Sequence, residues 1–286
     1  MLTVEIGGKR KQIPSSYNEI TLEQLRVYVE FVERRKSEIF SLENGKVVVK
    51  DQKALTEAQS ALLWAILDMK FRLFVRIGAY QIRDLVATEK LVDFFFTDLL
   101  TENKLPRIKR FRKSLYGPVN AFHRLSFEEF GFADNAFHQF NHTGDIKYLD
   151  ELVATLYRPA KKKFDPKAAD TDGDIRQEFN FLTIDFRMDQ VAKMREVDKW
   201  CVYVWFDHCR RQLVERYKEL FEKNDKKKSR SGGTWVETAM AIGHGVLNFN
   251  VVRKTPVYQI FMDLDRLRLD KLELEEEMEA AKNKRK

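Results

Sequence analysis

Three four-residue boxes constrain most strongly what this chain can fold into. Thr21-Leu22-Glu23-Gln24, Thr56-Glu57-Ala58-Gln59 and Ser126-Phe127-Glu128-Glu129 each set a hydroxyl three residues ahead of a Glu or Gln. The hydroxyl accepts from the backbone N–H at the fourth position while the longer side chain reaches back, so each box starts a helix. Leu22, Leu25, Val29 and Val32 then follow helical spacing. So do Leu149, Leu152, Val153 and Leu156, on a short helix that Pro159 stops. Only 12 Gly and 6 Pro interrupt 286 residues, too few for a disordered or fibrous chain, and 44% hydrophobic residues supply a core.

The expected fold is therefore mainly α: a multi-helix body with a small N-terminal β-hairpin and a C-terminal helical arm. In the hairpin Leu2, Val4 and Ile6 alternate with polar residues, Gly7-Gly8 turns the chain, and Arg10 to Ile13 returns. Asn44-Gly45 before Val47-Val48-Val49 marks either a second hairpin or a loop. A long helix is expected from about Phe186 to about Phe221, with Met194, Val197, Cys201, Val204 and His208 on one stripe. Lys223 to Gly233 (KNDKKKSRSGG) reads as a flexible linker. The length suggests two domains. The regions are 1–114 (hairpin and helices), 115–222 (central helices), the linker 223–233, and an arm 234–286 that moves or self-associates.

Chemical motifs are scarce. Asp170-Thr171-Asp172-Gly173-Asp174 has the look of a calcium loop, but counting from Asp170 puts Ile175 where the turn glycine belongs and Phe181 where the bidentate Glu belongs. Cys201 and Cys209 stand eight apart with no second cluster, which suits small core residues better than zinc ligands. His208 and Cys209 point about 100° apart on a helix, so they do not form a dyad. His138 and His142 share a helical spacing without the Glu of a metalloprotease motif. Gly-rich phosphate loops and a nucleophile elbow are absent. No catalytic residue, cofactor or metal is expected. Nor is a signal peptide or a membrane span, so the chain reads as a soluble, cytoplasmic protein.

Two features point to partners. The net charge of +7 has a local source, because Lys104 to Lys113 (KLPRIKRFRK) carries six cations and no anion. Lys109, Arg110, Arg112 and Lys113 are the candidates for tracking nucleic-acid phosphates, the alternative being a solvated connector. Phenylalanine is also abundant, with 22 residues, dense at Phe94 to Phe96 and from Phe127 to Phe140. Phe94, Phe95, Phe127, Phe130 and Trp235 are the candidates for an exposed partner-binding surface, the alternative being a Phe-rich core.

Three segments together resemble a known group. These are the opening TVEIGGKRKQIPSSYNEITLEQL, the middle block LYGPVNAFHRLSFEEFGFADNAF with YLDELVATLYRP and DIRQEFNFLTIDF, and the ending from Thr234 to Met278. Their patterns are similar to those of tail assembly chaperones and related tail accessory proteins of tailed bacteriophages. The resemblance implies a largely helical, non-enzymatic protein that binds the tape measure protein during tail assembly in the host cytoplasm. The chain is longer than many members of that class, which leaves a virion structural protein or another tail accessory open.

Overall fold

The computed structural model describes residues 1–6, 9–44, 46–70, 74, 78–110, 113–162, 164, 173–221, 235–243 and 246–283. The Gly7-Gly8 turn, Gly45, Arg112, the acidic residues 170–172, the linker 223–233 and His244 lie outside them. The fold is mainly α with small antiparallel sheets. The chain forms two compact units, one of residues 1–106 and 193–209, the other of residues 107–192 and 210–286. The division thus falls at Pro106, and the expected central region is split between the two units.

In the first unit the N-terminal hairpin pairs Leu2–Ile6 with Lys9–Ile13, and Phe40–Glu43 pairs with Lys46–Val49 as a second hairpin. Thr21 and Gln24 form the full reciprocal box at the start of helix Leu22–Phe31. The next helix, Gln52–Leu67, starts four residues before its expected box. Asp51 accepts from the backbone of Lys53 and Ala54, and Thr56 donates back to the Gln52 carbonyl at 2.8 Å. An earlier Asp cap adds a turn of helix, which is why it prevails over the Thr.

Aromatic rings fill this unit's core. Tyr17 meets Tyr28, Phe95 and His208 edge-on at 5.2–5.3 Å between centroids. His208 Nδ1 accepts from the Leu100 backbone at 2.8 Å, and Trp205 Nε1 donates to the Thr101 carbonyl at 3.0 Å. From the other side Asn18 Oδ1 accepts from the backbone of Thr101 and Glu102. The stripe read on residues 194–208 therefore closes this unit and ties down its last loop. Cys201 and Cys209 are buried in it with thiols pushed well up by burial. A disulfide-exchange reagent is expected to leave both unmodified in the native protein and to titrate two thiols in denaturant. Rapid native labelling would contradict this packing.

The second unit is built on helix Phe127–Thr143, packed against helix Ile146–Leu156. The basic segment is not a connector: Arg107–Arg110 pairs with Lys113–Tyr116, and Arg158–Pro159 adds a third strand. Ile108 and Leu115 pair across the ladder and are buried while Lys109 is exposed, so a two-residue alternation was concealed by the charge. The expected 186–221 helix is three, Ile184–Val191, Glu196–Arg216 and Lys218–Phe221.

Helices Trp235–Ile242, Val246–Lys254 and Val257–Asn283 complete the unit. Phe261 is their hub, with the rings of Phe130, Trp235, Tyr217 and Phe221 at 5.5–5.9 Å. Gly131 permits this approach, since a Cβ there would lie 3.0 Å from Trp235 Cβ. The start of the supposed arm is thus part of a core.

Candidate functional site: an aromatic surface on buried arginines

The site grows from Arg176, whose guanidinium is almost wholly buried. Its Nη1 donates to Glu129 at 2.6 Å and to the Leu156 carbonyl at 3.0 Å. Nη2 donates to Asp174 at 2.8 Å and to the Arg124 carbonyl, and Nε donates to both Asp174 oxygens. Burial disfavours the charge of Arg176, but Glu129 and Asp174 outweigh it and raise its pKa. Burial likewise pushes the Asp174 carboxyl up, yet the Arg176 bonds overcome this and hold it below the usual carboxylate range. The Ser126 cap is consequently half of a box: Ser126 accepts from the Glu129 backbone at 3.2 Å, while the Glu129 carboxylate turns inward to the arginines.

Arg158 joins the cluster from its strand, 3.0 Å from Glu129. Burial lowers its pKa, with Glu129 opposing and Arg176 adding to the fall. Its Nε and Nη1 have no hydrogen-bond partner among the described residues, but its guanidinium carbon stands 5.7 Å from the centre of the Phe179 ring, a cation–π contact. Arg187 docks helix 184–191 through a 2.7 Å bond from Nε to the Ala154 carbonyl. Burial, and then the nearby Arg158, bring its pKa down to about 10, so it stays charged at neutral pH.

These contacts pin the segment that follows. Lys161 and Gln177 donate from their backbones to Ile175 and Pro159, so residues 173–177 lie along the third strand. Gly173 takes φ +71° and leaves room for Arg124, which a Cβ would meet at 2.6 Å. Phe179 packs against Phe132 at 5.5 Å, and Phe132 stacks on Phe181 at 5.7 Å. Asn180 accepts from the Leu182 backbone and caps a short 3-10 turn that leads into helix 184–191. Ile184, Arg187 and Val191 face inward. Phe181, Leu182 and Phe186 are 45%, 75% and 66% exposed. Glu178, Asp185 and Asp189 are exposed on the same stretch, Glu178 beside Lys254. Along the chain this leaves an exposed apolar row interspersed with carboxylates.

Beside it lies a cleft of about 440 Å³ lined by His123, Arg124, Glu128, Arg158, Lys161, Arg253 and Lys254 among others. Its charges are largely paired: Arg253 with Glu128 at 3.3 Å and Lys254 with Glu178 at 3.6 Å. Burial raises the Glu128 pKa against the pull of Arg253 and Lys254. Among the described residues no group of His, Cys, Asp and Glu could hold a metal ion. Nor is any helix there long and apolar enough to cross a membrane.

The residues singled out from sequence fall elsewhere. Phe94 and Phe95 are buried in the first unit, and Phe127 and Phe130 are buried in the second, because both pairs sit on helix faces turned to the core. Trp235 is half-buried against Phe127 and Phe130, and its indole donates to Asp134 at 3.0 Å, a packing role. Lys109 is exposed on its strand, whereas Arg110 and Lys113 are placed here only by their backbone pairing at the hairpin end. The exposed row of Phe181, Leu182 and Phe186 was missed. Its legible signal is the i, i+4 pair Leu182 and Phe186, out of phase with Ile184 and Val191.

No protein-family model, curated protein or solved structure matches this chain.

Proposed function

We propose that this protein is a non-enzymatic assembly protein of tailed bacteriophages, a chaperone that binds the tape measure protein or another tail component. The observation that carries the reading is the exposed row of Phe181, Leu182 and Phe186, three large apolar side chains on a stretch tied to the arginine cluster through Phe179. Aromatic anchors on a fixed scaffold are what binding surfaces concentrate their energy in. A tape measure protein is long and helical, and its apolar stripe would lie along such a row as a helix-in-groove contact. The exposed Asp185 and Asp189 on the same stretch favour a stripe flanked by Lys and Arg. The three segments that resemble tail assembly chaperones supply the setting, the host cytoplasm before the tail tube polymerises. The test is co-expression with the tail proteins encoded nearby, followed by pull-down through nuclease and high salt. Recovery of a long helical tail protein is expected. Loss of every partner after nuclease would instead assign the function to the basic hairpin.

A further inference from the structure

The last helix, Val257–Asn283, has one face that is buried at its start and becomes exposed beyond Leu264. Written as heptads from Val257, the a and d positions are Val257, Ile260, Leu264, Leu267, Lys271, Leu274 and Met278. Val257 and Ile260 are buried in their own unit, whereas Leu267, Leu274 and Met278 are 55%, 51% and 55% exposed. The opposite row, Met262, Asp265, Leu269, Leu272 and Glu276, is broken by carboxylates and makes no continuous seam. A seam repeating every seven residues fits another helix wound around it.

We propose that a second copy of this chain covers that face as a parallel, in-register coiled coil over residues 264–278. Charge selects both the occupant and its direction. The g positions are Asp263, Asp270 and Glu277, all acidic, so an antiparallel pair would set acid against acid along its length. In a parallel pair Asp263 at g faces Arg268 at e of the second copy, an arginine that also meets Asp265 and Glu219 of its own chain, and Lys271 at a reaches Asp270 of the second copy and so offsets the acid pair Asp270–Glu275. Lys271 is 70% exposed and lies 3.9 Å from Glu275 of its own helix, so little holds it back from that contact. A single Lys at an a position also fixes register, since any shift sets it against leucine. The proposal stands apart from the tail-assembly reading, because it needs no client.

The test uses the full-length chain alone, by light scattering after size exclusion. A dimer is expected, and Leu274→Glu should weaken it by roughly 100-fold or more, as two buried leucines are lost. Leu274 is exposed in the single chain, so the variant should keep its fold, which circular dichroism checks. L274C should form a disulfide with its own equivalent under mild oxidation, because the native cysteines are buried. A monomer across the micromolar range, a dimer indifferent to Leu274→Glu, or failure of L274C to cross-link would each overturn the proposal.

Discussion

Arg176→Ala is expected to cost the second unit about 3 kcal/mol, because it removes the cation that bonds both Glu129 and Asp174 and leaves them Arg158 alone, 3.0 Å and 3.8 Å away. The side chain donates to two carboxylates and two carbonyls, so several acceptors lose their partner at once. Arg176→Lys should recover only part of the loss, since an ammonium cannot reproduce the planar fork. Urea denaturation followed by tryptophan fluorescence measures both. The pH dependence gives a second readout. Asp174 is held below the usual carboxylate range in the folded protein, so its contribution is complete above about 4 and disappears as pH falls through the depressed value. The wild type should lose stability over that acid range more steeply than Arg176→Ala. A loss below about 1 kcal/mol would mean the cluster does not hold the segment under the aromatic row.

The second large effect concerns where the chain can be cut. A chain ending at Phe221 should lose the cooperative folding of the second unit. It lacks the half-buried Trp235 and the fully buried Val257, Ile260 and Phe261, the last of them the aromatic hub. Losing one buried large aromatic costs about 3–5 kcal/mol, and several such losses exceed the 5–15 kcal/mol that a domain has in total. A chain ending at Met262 keeps the hub and should melt cooperatively like the full chain. Thermal unfolding and limited proteolysis distinguish the two. A second unit that stays folded without residues 222–286 would restore the independent arm that the linker composition suggested.

Local rules carried the elements well where a helix had both a cap and an apolar face. Thr21 with Gln24 and the stripe from Leu149 to Leu156 needed nothing beyond their neighbours. The hairpin at 107–116 was hidden because four of its eight paired residues are Lys or Arg. Strand alternation there depends on Ile108 finding Leu115, and charge masks so short a period. The candidate site was less legible still. Glu129 and Arg176 are 47 residues apart and read as ordinary surface charges until the fold brings them to 2.6 Å. For the same reason composition located the aromatic surface wrongly. The densest phenylalanines, Phe94, Phe95, Phe127 and Phe130, went to the cores, and the exposed Phe181 and Phe186 came from a 3-10 turn and the short helix after it.

If the row of Phe181, Leu182 and Phe186 is the proposed client surface, polar substitutions there abolish client binding. The direct test is affinity for the purified tape measure protein, comparing the wild type with a Leu182→Asp, Phe186→Asp double variant. The control replaces Leu42 and Val47 with Asp, residues that are 74% and 70% exposed on the hairpin of the first unit. Both variants change exposed side chains and should keep wild-type melting. A loss of at least ~100-fold in affinity is expected for the row variant, from two buried anchors at about 1.5–3 kcal/mol each, and little change for the control. Unchanged affinity in the row variant, with the client still bound, would place the client surface elsewhere on the protein.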